Sequence, residues 1–374
     1  MKRDLRITRL DTYCLTLPKE KPILIATGAI SSVKVVLLRV SLSDGSHGWG
    51  EACPYPMITG ETQAGIMTLA AECAPVWIGR DAFAIEARMA ELDRVVAGNP
   101  TLKSMFDLAL HDAVSRSMRQ PLWQWLGAAG PRPIQSDMTA YLDTPEVMAA
   151  AARGFVASGF RVIKIKLGED METDLARTRA VRAAIGGEVT LRIDANQGWD
   201  TPTALAMLKL LAPLDIEHCE QPVARWNLAG MRQLTAASPI PIMADESLFD
   251  EHDAVTLVAE KACHLFNLKF SKSSGIHRAR KILAVASAAA VPVQAGCMGE
   301  TRLGLTALLH LCYAAPGIRY YDMDGCAGHG ADPVQGGMMF GRDGTLTLTD
   351  ANAPGLGVEI DPGFLSTLPT QTFA

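Results

Sequence analysis

Successive apolar runs in this chain end on charged side chains. Lys164 and Lys166 close RVIKIK, Asp194 closes VTLRID, Glu220 closes IEHCE, Asp245 closes IPIMAD and Lys269 closes FNLK, while Asp322 and Asp324 close YYDMD. Helix-patterned segments such as DLARTRAVRAAIG and TPTALAMLKLLA separate the runs, so the strands they predict are parallel. On an open sheet these ends do not all face one site; on a closed barrel they meet at one mouth. From about residue 136 eight strands can be read: SDMTAYL, RVIKIKL, VTLRIDA, IEHCEQP, IPIMADE, LFNLKFS, VPVQAGC and RYYDMD. The fold class expected is α/β, a (β/α) barrel of modified TIM type over 131–344, in preference to a doubly wound sheet.

Residues 1–130 follow another pattern. RITRLDTYCLTLP and VKVVLLRVSLSDGSHGWGEA alternate as strands with turn residues at SDGSHG, and helical patterns follow at 66–78 and 102–118. This predicts an N-terminal α+β domain. The Gly- and Pro-rich tail, 345–374, is expected to return and join it. A length of 374 residues is enough for two such domains.

Composition excludes several function classes. A net charge of -5 with no basic cluster gives no electrostatic footprint for nucleic acid. MKRDLRITRLDTYCL lacks the apolar core of a signal peptide, and LTALLHLCYAA is too short to span a bilayer and contains His310. The eight cysteines form no CxxC pair, so buried free thiols in a reducing, cytoplasmic setting are expected.

Asp194, Glu220 and Asp245 are 26 and 25 residues apart, one βα repeat each. A single acid at a strand end is more often a helix cap or half of an ion pair. Three in register, with lysines on flanking strands, suit a hard octahedral cation such as Mg2+, whereas no His/Cys set has zinc spacing. Lys164 and Lys166 are two residues apart and so share one strand face, here the barrel interior. Lys269, on the sixth strand, lies across the barrel from them. Opposed amines are what inversion at carbon requires: one removes a proton, the other returns one to the far face. The base must be neutral, and nearby positive charge and desolvation both lower a lysine pKa. In DxD, Asp322 and Asp324 share a face; a second metal site is conceivable, but a substrate cation is the better partner.

The order KIK, RIDANQGW, EQPV, MADES and NLKFSKSSGI, with GWGEA and ITGET upstream, resembles the enolase superfamily in its muconate lactonizing enzyme branch. The resemblance covers essentially the whole chain. It implies that the N-terminal domain caps the barrel, that Asp194, Glu220 and Asp245 bind Mg2+, and that Lys166 and Lys269 are the opposed acid/base pair. It implies too that Lys164 stabilises an enediolate and tunes Lys166, the shared step being removal of a proton α to a carboxylate. The DxD is similar to that of dipeptide epimerases of the L-Ala-D/L-Glu epimerase type, where it holds the α-ammonium group. By the same resemblance Thr139 and the backbone at Cys297 contact substrate. A dipeptide is thus the expected partner, epimerised at its C-terminal α-carbon, and a homo-oligomer is expected. A lyase of the same fold, such as a muconate-type cycloisomerase or o-succinylbenzoate synthase, is the alternative.

One departure bears on substrate. Members acting on L-Ala-L-Glu carry an arginine in a capping-domain loop, where IATGAISS here has Gly28. A glutamate side chain would lack a partner, so dipeptides apolar or cationic at the second residue are expected instead, with Glu20 and Glu61 as candidate partners for a cation. His329, in the Gly-rich GHGAD, reads as a surface residue before a catalytic one. His218, two residues before Glu220, reads as core or as support for the metal ligands.

Overall fold

A computed structural model describes residues 5–374; the first four residues of the 1–130 segment lie outside it. Eight parallel strands stand side by side in sequence order. They are Met138–Ala140, Val162–Lys166, Thr190–Asp194, Ile216–Glu220, Ile242–Ala244, Leu265–Leu268, Val293–Gly296 and Ile318–Asp322, here barrel strands one to eight. At the seam, the Asp137 N–H donates to Tyr321 O (3.1 Å) and the Met323 N–H to Ser136 Oγ (2.9 Å). A helix fills every crossover from strand one to strand eight. Caps start several of them: Thr144, Asp170, Asp200, Asp250 and Thr301 each accept a first-turn N–H. Period 3.6 then sets the buried face, as with Ala204, Met207, Leu208 and Leu211 of Thr201–Leu211. Strand eight is followed by short strands and no long helix among the described residues, which is how the barrel departs from a regular eightfold one.

Strands buried on both faces carry two chemistries. In Val162–Lys166, Ile163 and Ile165 meet the helices while Lys164 and Lys166 enter the barrel, and all four are buried.

Ahead of the barrel, Ile7–Ile25 and Gly28–Leu42 form a long antiparallel hairpin, with His47–Ala52 as a third strand. IATGAISS is therefore not a loose loop. Ile23 pairs with Ile30 and Ile25 with Gly28, leaving a two-residue tip. β-branched residues favour the extended pairing, and Gly28 takes a φ of +130° that other residues rarely adopt. On the third strand the glycines of GWGEA allow close approach. A Cβ on Gly48 would lie 2.1 Å from Ala113 N and one on Gly50 2.0 Å from Met105 O, both in the helix Pro100–Ser117. The tail divides. Thr370–Phe373 adds antiparallel to Leu10–Tyr13, whereas Thr345–Leu348 pairs with Met338–Phe340 and Ile134–Gln135.

Acids of the N-terminal segment pin it to the barrel. Asp107 Oδ2 accepts the N–H of Ile276 (2.5 Å) and His277 (3.1 Å) at the start of Gly275–Ala288. Glu51 accepts those of Thr301 (2.8 Å) and Gly304 (2.9 Å) at the start of Arg302–Ala314. These buried carboxyls sit at helix N-termini, which favour the charged form, while burial still pushes Glu51 up to about 7. The hairpin tip is thereby held over the mouth where the charged strand ends converge.

Candidate active site

Lysines and acids interleave at the ends of strands two to six. Lys164 Nζ reaches Glu220 Oε2 (2.7 Å), Asp322 Oδ2 (2.8 Å) and Asp194 Oδ2 (3.2 Å). Lys166 Nζ donates to Asp194 Oδ2 (2.7 Å), and Lys269 Nζ to Asp245 Oδ2 (2.7 Å) with Glu220 Oε1 at 3.6 Å. Asn267 Nδ2 donates to Glu220 Oε1 (2.8 Å) and the Asn196 N–H to Asp194 Oδ1 (2.9 Å). Every one of these side chains is buried.

Charge, not burial alone, sets their protonation. Burial opposes the charged form of Lys164, but Asp322, Glu220 and Asp194 outweigh it and hold the ammonium well above its ordinary value. Lys269 is likewise opposed by burial and raised by Asp245 and Glu220. Burial also opposes ionisation of Glu220, yet Lys164, Lys269 and Lys166 keep its carboxyl well below the usual range. Lys269 is thus held charged by its acids, the opposite of the lowered value that a base requires.

A cavity of about 330 Å³ opens above this network. Lys166 and Lys269 line it from barrel strands two and six, four positions apart around the ring of eight. Asp245 lines it too, while Lys164, Asp194 and Glu220 are off the lining and fully buried. Asp322, Asp324, Thr139 and Cys297 line it from the ends of strands eight, one and seven, on the side of the ring opposite strand four and its Glu220. The Thr139 N–H donates to Asp324 Oδ2 (2.8 Å), and Cys297 Sγ lies 4.0 Å from Asp324 Oδ1. Among the described residues, Cys297, Asp322 and Asp324 alone bring three such ligand atoms within 4.8 Å of one another. Burial pushes the Cys297 thiol well up, so it is a neutral neighbour and not a thiolate ligand.

Asp194, Glu220 and Asp245 do not converge as closely, because Lys164 and Lys269 sit between them. Their chemistry nonetheless fits a hard divalent cation: carboxylates on three adjacent strand ends, with no histidine or free thiolate among them. Two further oxygens fit it as well. Asn196 Oδ1 and Glu246 Oε2 are buried, have no hydrogen-bond partner, and belong to side chains that line the cavity beside Asp245. Burial, then the charge of Asp245 and Asp194, pushes the Glu246 carboxyl up to about 8.

Three expectations are corrected, for Glu61, Glu20 and His329, and the two readings of His218 resolve to one. Glu61 faces no substrate: its carboxylate accepts the N–H of Thr101 and Leu102 and caps the helix Pro100–Ser117. Glu20 is exposed and off the cavity wall. His329 is half-buried rather than on the surface, and its backbone makes an isolated antiparallel bridge with Lys19; burial, then Lys19, lowers its imidazole to about 4. His218 is wholly buried, edge-on to the Tyr320 ring at 5.6 Å between centroids. Burial, then Arg192, brings it down to about 3, so it is neutral core.

Other residues carry weight that the strand pattern did not assign. Lys272 Nζ lies 2.5 Å from Asp245 Oδ1 and donates to the carbonyls of Leu248 (3.1 Å) and Asn267 (3.2 Å). It stands three residues after Lys269, one turn along the short helix Phe270–Ser273, and that spacing was its signal. Ile23, Ile25 and Ile30 of the hairpin give the same cavity an apolar lining.

Comparison with known proteins agrees with this geometry. Residues 9–127 match the family model described as mandelate racemase / muconate lactonizing enzyme, N-terminal domain, and residues 147–364 the model described as enolase C-terminal domain-like. The chain is 37% identical to the D-Ala-D/L-Ala epimerase of Cytophaga hutchinsonii over 95% of this chain and 96% of that protein. It is 34% identical to the L-Ala-D/L-Glu epimerase of Bacillus subtilis over 95% and 97%. The crystal structure of the Cytophaga hutchinsonii dipeptide epimerase complexed with Mg and D-Ala-L-Val superposes with a TM-score of 0.96 at 36% identity, covering 99% of this chain and 100% of that one. No helix among the described residues is long and apolar enough to cross a membrane.

Proposed function

This chain belongs to the enolase superfamily, in its muconate lactonizing enzyme branch, and on that premise we propose that it epimerises dipeptides at the α-carbon of the C-terminal residue. The observation that carries the proposal is the pair of amines on opposite barrel strands, Lys166 and Lys269, lining one cavity together with Asp324. The relatives named epimerases support the reaction class; the geometry supports the roles.

A dipeptide offers an ammonium group at one end and a carboxylate at the other. Asp324 lines the cavity with Oδ2 held by the Thr139 N–H, and so suits the ammonium group. The α-carbon then lies between the two amines. One takes its proton and the other returns a proton from the opposite face, through an enediolate. The hairpin wall keeps water from the reacting carbon. Asp194, Glu220 and Asp245 are the residues that would hold Mg2+, with Asn196 and Glu246 beside them. The ion, when bound, supplies positive charge for the substrate carboxylate as electron density builds on it. A bound ion would compete with Lys164 and Lys269 for those acids, and a Lys269 ammonium with fewer carboxylate partners would be lowered toward the value a base needs.

The wall also bears on the second residue. The cavity lining drawn from the N-terminal segment holds isoleucines and two lysines and no acid. This favours an apolar second side chain over a cationic one, and Gly28 at the hairpin tip provides no counter-ion for glutamate. The test is deuterium uptake at the C-terminal α-carbon in D2O with Mg2+, across a dipeptide library. Exchange accompanied by epimerisation is the expected result; a library without exchange overturns the proposal.

A further inference from the structure

Lys19 lines the cavity from the stem of the hairpin and has no counter-ion. It is half-buried and makes no ion pair or side-chain hydrogen bond among the described residues. A half-buried ammonium group without a partner is costly to keep. Its placement is nevertheless firm. The Glu20 N–H donates to Gly328 O (3.0 Å) and the Gly330 N–H to Pro18 O (2.9 Å), so the backbone on either side of Lys19 is tied to the loop that follows the DxD. The carboxylate whose charge it feels most is Asp324. Lys34, also on the lining and exposed, adds a second positive charge to the same wall.

This end of the cavity therefore carries a carboxyl and an amine on one lining; burial, then Asp322, raises Asp324 and burial lowers Lys19, so each charge is one that a bound partner of opposite sign would stabilise. Under the dipeptide reading, on which this inference rests, Asp324 takes the α-ammonium of the first residue. That residue's side chain springs from the carbon bearing the ammonium, and so emerges beside Lys19. We propose that Lys19 makes the enzyme selective for dipeptides whose first residue is acidic, aspartate or glutamate, with an apolar second residue. The side-chain carboxylate pairs with Lys19 Nζ while the ammonium pairs with Asp324. Two opposite charges two to four atoms apart on one residue meet two opposite charges on the protein, a pattern that neither alanine nor lysine at that position can match.

The comparison that isolates the charge is L-Glu-L-Leu against its neutral isostere L-Gln-L-Leu, in the wild type and in Lys19→Met and Lys19→Arg. Deuterium exchange gives kcat/KM, and isothermal titration gives Kd independently of turnover. The wild type is expected to favour Glu-Leu by about ten- to a hundredfold, the range of a hydrogen bond between charged groups. Lys19→Met is expected to lose that ratio and Lys19→Arg to keep it. A merely structural role for Lys19 lowers both peptides together and leaves the ratio intact, which overturns the proposal. Equal Kd values for the two peptides in the wild type overturn it too, whatever the turnover. Absence of exchange with every peptide, alongside a Glu-Leu preference in Kd that Lys19→Met removes, overturns the epimerase reading and upholds the Lys19 assignment.

Discussion

Replacing either opposed amine by alanine should divide the reaction by stereochemistry. Under the proposed function each amine faces one side of the α-carbon, so each epimer would present its hydrogen to only one of them. Lys166→Ala should abolish exchange from one epimer, and Lys269→Ala from the other. Loss of a positioned general base costs about a hundred- to ten-thousandfold in rate, or about 3–5 kcal/mol of barrier. The structure indicates that this loss will not be confused with unfolding. Removing one half of a buried ion pair usually costs about 3–5 kcal/mol of stability because a charge is stranded. Here neither acid is stranded. Without Lys166, Asp194 keeps Lys164 at 3.2 Å and the Asn196 N–H at 2.9 Å. Without Lys269, Asp245 keeps Lys272 at 2.5 Å. The assay is proton NMR in D2O, starting from each pure epimer in turn, with Tm recorded for both variants. Each variant should wash deuterium into one epimer without converting it to the other. If the same epimer loses exchange in both variants, the two amines do not face opposite sides of one carbon and the argument fails.

Three further outcomes follow from particular contacts. Asp324→Asn keeps an oxygen for the Thr139 N–H but loses the charge; KM for a dipeptide should rise about tenfold or more, with kcat less affected, and an unchanged KM in steady-state polarimetry would remove Asp324 from the ammonium site. Gly50→Ala should lower Tm, because the new Cβ would meet Met105 O at 2.0 Å. Overpacking of this kind costs about 1–3 kcal/mol, and calorimetry showing wild-type Tm would contradict the close approach. Glu359 gives a pH dependence. Burial favours its protonated form, but the hydrogen bond from His47 and the charge of Arg116 outweigh that and bring it to about 2. A carboxyl lowered on folding adds stability above its unfolded value, and that stability fades as pH falls through the folded one. Wild type should therefore lose Tm relative to Glu359→Gln between about pH 4.5 and 2, and parallel curves by circular dichroism would refute the assignment.

The barrel was legible because its chemistry sits at strand ends, where local pattern and function coincide. A run such as VTLRID announces both an apolar strand and the acid that finishes it, and the spacing of Asp194, Glu220 and Asp245 repeats the supersecondary unit. The opposed amines follow from counting strands. What depends on distant segments was hidden. The predicted strand RITRLDTYCLTLP stops just short of Lys19, and nothing local reveals that a hairpin carries that lysine over the barrel mouth. IATGAISS, with its glycine, reads as a loop, yet cross-strand pairing of Ile23 with Ile30 extends the ladder to the tip. Glu61 could equally serve a ligand or a helix; the distance to Thr101 and Leu102 decides, and that distance spans 40 residues of chain. The protonation of Lys269 was equally out of reach, since it depends on which acids its ammonium touches.

Ile7–Ile25 is one continuous strand with two employments. Near its start, Leu10–Tyr13 are zipped to Thr370–Phe373, and at its other end Ile23 and Ile25 look into the cavity. The chain's last few residues are thus spliced to the same ribbon that roofs the chemistry, many residues away in sequence. A tag, a fusion or a proteolytic nick at the C-terminus acts on the root of that ribbon, so turnover is exposed to changes made where no substrate ever comes.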